Sequence, residues 1–130
     1  MESINIVGDI GADAFNSCTN LKLLNISDGY IWGRAFKDCI NLTEITLPEN
    51  LGWIDEEVFS GCTSLKNISL DGYLFEIRKK AFYNCSSLRE IILPHTFYAL
   101  ENEAFVGCSN LESITFLYDE QNAARMNGRY

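Results

Sequence analysis

Cysteine is the residue type with the most chemistry available in this chain, because five thiols could form disulfides, bind a metal or act as nucleophiles. Successive cysteines are separated by 21, 23, 23 and 23 residues, at Cys18, Cys39, Cys62, Cys85 and Cys108. Residues that recur at such an interval occupy the same slot of successive structural repeats. We therefore expect the thiols to lie side by side in a stack rather than to meet in one site.

This stacking argues against disulfides between neighbouring repeats. Parallel strands lie about 4.8 Å apart, whereas the two Cβ atoms of a disulfide lie about 3.8 Å apart. The sequence predicts free, buried thiols that pack as small hydrophobic side chains. A metal site is not expected, because no Cys-x-x-Cys pair occurs and the single histidine, His95, follows a proline in a predicted turn.

Catalysis has little support in the remaining residues. One histidine in a turn cannot supply the base of a nucleophile–base pair, and no glycine-rich phosphate loop is present. Carboxylates such as Glu56 and Glu57 belong to an acidic triplet at 55–57, which is followed one repeat later by a basic triplet at 78–80 and then by 101–103. We expect these triplets to adjoin and form salt bridges. The sequence predicts a protein that is not an enzyme and uses no cofactor.

The elements that position the cysteines follow from the same repeat. A phenylalanine lies three residues before each cysteine and a leucine three residues after it, as in Phe59, Cys62 and Leu65. The pattern divides residues 10–118 into five units: 10–30, 31–53, 54–76, 77–99 and 100–118. Residues 1–9 are predicted to be an N-terminal cap or first rung, and residues 119–130 a C-terminal cap or tail.

Each unit is predicted to contain one strand and one turn. The alternation at the end of Leu65-x-x-Ile68-x-Leu70 indicates a short parallel strand with Ile68 and Leu70 directed inward. Between Ile54 and Cys62 the apolar residues follow an i, i+4, i+5, i+8 spacing, which predicts a single helical turn.

Charge and hydropathy limit the classes of partner that the chain is expected to bind. The net charge of -8 disfavours nucleic acid and acidic membranes, because there is no basic surface to release counterions. No apolar run reaches the roughly 18 residues of a membrane span, so membrane insertion is not expected. The first eight residues do not resemble a secretory signal, which would place the chain in the cytoplasm if it is complete.

The repeat resembles the BspA-like, treponemal class of leucine-rich repeats. That family's pattern is approximately Leu-x-x-Ile-x-Leu-Pro-x-x-Leu-x-x-Ile-x-x-x-Ala-Phe-x-x-Cys, and the best copy here runs from Leu42 to Cys62 with Val58 in the alanine slot. Phe97 replaces a leucine and Leu100 an isoleucine in other copies. The resemblance covers residues 10–118.

The resemblance implies a leucine-rich-repeat solenoid. This is a right-handed α/β-type coil with short parallel strands on the concave side and single helical turns on the convex side. It also implies a cell-surface or secreted protein that binds host proteins, matrix or other cells. It supplies no catalytic residues.

The outward positions of the strands are the first candidate binding surface, because inward positions of a solenoid are used for packing. Read across the strands, two outward columns supply mostly small polar side chains with two acidic residues and one apolar residue. The candidates are Glu44, Thr46, Asn67, Ser69, Glu90, Ile92, Ser113 and Thr115. An equally simple interpretation is that these are ordinary solvated strand residues.

A second candidate surface is a group of aromatic residues that the repeat does not require. Trp53, Tyr73, Phe75 and Tyr98 fall in the predicted loops, with Trp32 nearby, whereas Phe97 occupies a core slot. Tyrosine and tryptophan are favoured anchors of protein interfaces. The alternative is that these rings cover the edge of a thin core.

The sequence therefore favours a protein-binding or adhesion module that acts through its concave sheet on a protein or glycoprotein ligand. Two alternatives stay open at this point. The chain could be a structural segment of a larger surface protein, or a unit that self-associates through its open C-terminal rung. It could also be a cytoplasmic effector that binds one protein.

Overall fold

The computed structural model of the chain describes residues 3–70 and 72–117, and the predicted cap or tail at 119–130 lies outside them. The described residues form nine short strands and no helix. In chain order the strands are β1 (Ser3–Val7), β2 (Leu23–Asp28), β3 (Glu44–Thr46), β4 (Gly52–Ile54), β5 (Asn67–Ser69), β6 (Leu74–Ile77), β7 (Glu90–Leu93), β8 (Ala99–Leu100) and β9 (Ser113–Phe116).

The strands belong to successive rungs of a parallel β-solenoid of about five turns. Strands β1, β2, β3 and β5 form one ladder in that order, and β7 pairs with β9 on the same side of the coil. We call this side the concave sheet. Its register places Ile45 opposite Ile68 and Ile91 opposite Ile114, so the inward slots of the repeat superpose from rung to rung. The predicted solenoid fold is confirmed.

A second parallel sheet was not predicted from the sequence. It consists of β4, β6 and β8 in that order, and an isolated bridge between Ile10 and Ile31 continues the same column toward the N-terminus. Trp53 lies in β4 and Phe75 in β6, so these two aromatic residues lie on strands and not on the loops we expected.

The expected helical turns are also absent from the described rungs, for a physical reason. Each turn segment contains two residues with positive φ, four positions apart, such as Arg34 and Asp38 with φ of 60° and 58°. Left-handed residues interrupt an α-helix. They also redirect alternate N–H groups to the next rung: the N–H groups of Arg34, Phe36 and Asp38 donate to the carbonyls of Glu56, Val58 and Ser60.

A stack of phenylalanine rings runs along the turn segments. Phe15, Phe36, Phe59, Phe82 and Phe105 have ring centroids 5.4–5.9 Å apart and planes within 19° of parallel. The three inner rings are fully buried, and Phe97 is buried as its core slot predicted. Large aromatic rings stacked in this way bury apolar area and pack closely, so the stack is a major part of the core.

The cysteines form a second column beside the rings. All five are free, as predicted, and Cys39, Cys62, Cys85 and Cys108 are buried, whereas Cys18 at the first rung is only half-buried. The buried thiols pack as apolar side chains and also form hydrogen bonds. Each donates a hydrogen bond to the carbonyl of the phenylalanine in the preceding rung, at 3.0–3.1 Å between Sγ and O.

The predicted charge columns are confirmed on the outer surface of the turns. Arg78 Nη1 lies 3.3 Å from Asp55 Oδ1, and Lys80 Nζ lies 3.8 Å from Glu103 Oε2. The column also reaches the first rungs, where the Arg34 guanidinium hydrogen-bonds Asp13 and lowers the pKa of that carboxyl. Such exposed pairs favour the register but add little stability.

The described part of the chain offers no helix with the length and apolar character that a membrane span requires.

Truncation of an inner ring tests the importance of the stack. We expect Phe59→Ala to lower the free energy of unfolding by about 3–5 kcal/mol, because it removes a fully buried ring and leaves a cavity between two others. Urea unfolding measures this loss. Phe15→Ala, at the half-buried end of the stack, is the control and should cost less. A loss below about 1 kcal/mol for Phe59→Ala would contradict the packing described.

The buried thiols predict a decrease in stability at alkaline pH. Burial raises the pKa of Cys39 to about 11 and also raises that of Cys62, so the folded chain keeps protons that the unfolded chain loses near pH 8.5. The unfolded state then binds fewer protons, and stability falls as pH rises through this range, by up to about 1.4 kcal/mol per pH unit and thiol.

Urea unfolding at about pH 7.5 and about pH 9.5 measures this effect. The control is the chain with Cys39→Ala and Cys62→Ala, which differs only in these two thiols. Its stability should fall less between the two conditions. Equal decreases in both chains would show that the thiols do not carry the pH dependence.

Candidate functional site

A broad open groove of about 980 Å³ lies on the concave sheet. Seven of the eight predicted concave residues line it, two each from β3, β5 and β7 and one from β9. They are Glu44, Thr46, Asn67, Ser69, Glu90, Ile92 and Ser113. Thr115 lies farther along β9, outside the lining, and all eight residues are exposed. The repeat register therefore identified one contiguous surface, because each residue sits in an outward slot of its strand.

The centre of the groove is a break in the concave sheet. β5 ends the first ladder and β7 begins the second, so among the described residues no ladder joins β5 to β7, although β6 and β8 of the same rungs are paired. Most Cα–Cα distances between β5 and β7 exceed 8 Å, whereas paired strands lie about 4.8 Å apart. The inward-facing Ile68 is partly exposed here, although its counterparts Ile45 and Ile91 are 4% and 0% exposed.

The same two rungs remain joined on the turn side. The N–H groups of Phe59 and Gly61 donate to the carbonyls of Ala81 and Tyr83 at 2.9 and 2.7 Å. Where the chain leaves the turn, the Ser87 hydroxyl donates to the Thr63 carbonyl at 2.6 Å. Beyond the strands the same rungs are bonded again, because the Thr96 hydroxyl donates to the Leu74 carbonyl at 2.8 Å and β6 pairs with β8. The break is therefore a slot between β5 and β7 that is closed at both ends.

The charges around the groove are mixed but mainly acidic. Glu44, Glu90 and Glu112 line it together with Lys66 and Arg89. Arg89 Nη1 lies 3.8 Å from Glu112 Oε1 with both side chains well exposed, so this pair balances itself. Glu90 on β7, beside the break, and Glu44 on β3, one strand beyond β5, are the predicted acidic residues of the site.

Three charged groove residues were not among the predicted site residues: Lys66, Arg89 and Glu112. They precede the strands by one residue, in an outward column that the repeat also marks. Strict strand alternation would place them inward with Ile68, Ile91 and Ile114, so their charge, rather than their chain position, was the signal that could have identified them.

The predicted aromatic surface is divided into separate parts. Trp53 stacks on Tyr30 at 5.3 Å between ring centroids, and Trp32 contacts both rings at 6.2 and 6.1 Å. The Arg78 guanidinium covers Trp53 at 5.0 Å and is itself bonded to Glu76 and Asp55. The patch of Tyr30, Trp32 and Trp53 is partly exposed, and the sequence did not indicate Tyr30.

Phe75 and Tyr98 form a second aromatic pair, with their ring centroids 6.2 Å apart. Tyr73 is the most exposed of the predicted rings, at 58%, and borders a small depression beside Leu47 and Pro48. The four predicted aromatic residues thus do not form one anchor site, because β4 and β6 direct them to different positions.

The side chains of the described ranges include no group of three or more His, Cys, Asp or Glu residues placed to hold a metal ion.

This geometry, in which short parallel strands stack along one coil above phenylalanine and cysteine columns, defines a leucine-rich-repeat solenoid. The model of the BspA type leucine rich repeat region matches residues 8–124 in six copies. The chain belongs to this family.

Three solved structures are similar to the chain. A leucine rich cell surface protein from Faecalibacterium prausnitzii is 27% identical, with a TM-score of 0.84 over 95% of this chain and 34% of that one. A leucine-rich repeat protein from Bacteroides ovatus is 29% identical, with a TM-score of 0.80 over 87% of this chain and 33% of that one.

The T. pallidum leucine rich repeat protein is 27% identical, with a TM-score of 0.80 over 86% of this chain and 58% of that one. The chain therefore spans about a third of the length of the first two proteins. A comparison with curated proteins gives no match.

Proposed function

We propose that the chain is a non-enzymatic protein-binding module of an adhesion type, which holds a protein or glycoprotein ligand on the concave sheet. The observation that carries the proposal is the groove of about 980 Å³, which gathers exposed polar and apolar side chains from four strands. Leucine-rich-repeat proteins generally mediate protein interactions, and solenoids use such extended surfaces to bind partners.

The composition of the groove supports a protein ligand. It combines carboxylates, small hydroxyl and amide side chains and the apolar Ile92, which is 43% exposed. Interfaces of proteins join an apolar centre to a polar rim in this way. The net charge of -8 supports a ligand that is not a polyanion.

We propose the cell surface as the place of action. The F. prausnitzii protein is described as a cell surface protein and shares the fold over 95% of this chain.

Self-association through the C-terminal rung is less favoured by the charge column on the turns. Asp13, Arg34, Glu57, Lys80 and Glu103 occupy one slot with alternating sign. Among the described turns, the first and the last of these charges, Asp13 and Glu103, are both acidic. Identical copies stacked end to end would place Glu103 beside Asp13, and like charges repel.

Affinity capture from host-cell and matrix extracts tests the proposed function. The intact chain is compared with a variant carrying Glu44→Lys, Glu90→Lys and Ile92→Lys. The control carries Glu49→Lys, Glu56→Lys and Val106→Lys, which are exposed positions outside the groove with the same change in charge. We expect a partner to be held by the intact chain and the control and to be lost from the groove variant.

Capture by all three chains would move the site away from the concave sheet. In that case Tyr30→Ser with Trp32→Ser should release the partner if the aromatic patch holds it. Capture by none of the chains would contradict the binding proposal and favour a structural segment.

A further inference from the structure

The break between β5 and β7 has the form of a missing strand. On either side of it lies a strand that is already paired on its far side, β5 with β3 and β7 with β9. A parallel strand directs the backbone groups of alternate residues to its two sides. Both edges of the break therefore present N–H and C=O groups that no ladder in the described residues pairs.

The two strands at the break are farther apart than paired strands. Strands on either side of an inserted one lie about 9.6 Å apart, twice the usual spacing. Most Cα–Cα distances between β5 and β7 exceed 8 Å, and the turn side of the same rungs stays bonded. An extended segment could thus enter from the concave surface without unstacking the phenylalanine column.

We propose that the chain binds an extended segment of its protein ligand as an additional strand between β5 and β7. This inference rests on the proposed function and specifies how the concave groove recognises its ligand. Addition of a strand to an exposed sheet edge gives affinity through main-chain hydrogen bonds and specificity through alternate side chains.

The side chains around the break define the chemistry of the segment. An outward residue of the ligand between Asn67 and Glu90 meets Glu90 and, one strand farther, Glu44, so it carries a lysine or arginine. The next residue is directed toward the partly exposed Ile68, which lines the groove, and is apolar. The ligand is therefore an extended peptide in which basic and apolar residues alternate.

Selection from a random ten-residue peptide library displayed on phage, with the intact chain as bait, provides the probe. We expect enriched peptides in which lysine or arginine alternates with apolar residues. Enrichment should disappear with Glu44→Lys and Glu90→Lys, and it should persist with Glu49→Lys and Glu56→Lys, which make the same change in charge outside the groove.

Backbone methylation of the best peptide then tests the mode of binding without any change to the protein. A strand uses alternate amides for each of its neighbours. Methylation of an alternate set of N–H groups that face β5 or β7 should weaken binding about 100-fold, because several backbone hydrogen bonds are lost together. Methylation of one terminal amide outside the strand should change affinity less than about threefold.

Two results would overturn the proposal. One is a selected peptide that tolerates methylation at every position, and the other is the absence of any peptide that depends on Glu44 and Glu90. Either result leaves the proposed function intact if the affinity capture still finds a partner that requires the groove. Loss of both the captured partner and the peptide would contradict the two proposals together.

Discussion

The structure depends on one carbonyl group in each turn, that of the repeated phenylalanine. The Phe36 carbonyl accepts the N–H of Cys39 in its own rung at 3.2 Å and the thiol of Cys62 in the next rung at 3.1 Å. A carbonyl oxygen has two lone pairs, and both are used. The same arrangement recurs at Phe59 and Phe82, so cysteine is the small apolar side chain that also satisfies a buried acceptor.

This bond joins adjacent turns together with the stacked rings and the inter-rung N–H bonds, and all three contacts share one spacing and register. The concave sheet is attached to that column but is not bonded to it directly. It can therefore open between β5 and β7 while the turn side remains continuous through all five rungs. The proposed binding surface therefore lies on the concave sheet, where fewer hydrogen bonds join the rungs than at the turns.

The sequence predicted the parts of the molecule that the repeat determines. The inner phenylalanines, the cysteines and the outward column with Glu44 and Glu90 follow from a fixed slot in each unit, and the structure places them accordingly. The second sheet was not predicted because Gly-Trp-Ile of β4 shows no alternation of polar and apolar residues, unlike Glu-Ile-Thr of β3 and Asn-Ile-Ser of β5.

Two further features have no signal in the sequence. Positive φ occurs at charged residues such as Arg34 and Lys80, which are not typical of left-handed backbone, because the inter-rung bonds impose it. The break also cannot be read from the pattern, since Leu65-x-x-Ile68-x-Leu70 matches the units whose strands are paired. Only the relative position of two rungs shows it.

Amide hydrogen exchange of the free chain, followed residue by residue by NMR, tests the central claim that the rungs are joined at the turns and open at the concave sheet. The account predicts slow exchange for Phe36, Phe59 and Phe82, whose N–H groups are bonded between rungs. It predicts fast exchange for the alternate amides of β5 and β7 that face the break. Equally slow exchange along β5, β7 and the turns would contradict it, because it would mean that the concave sheet is continuous.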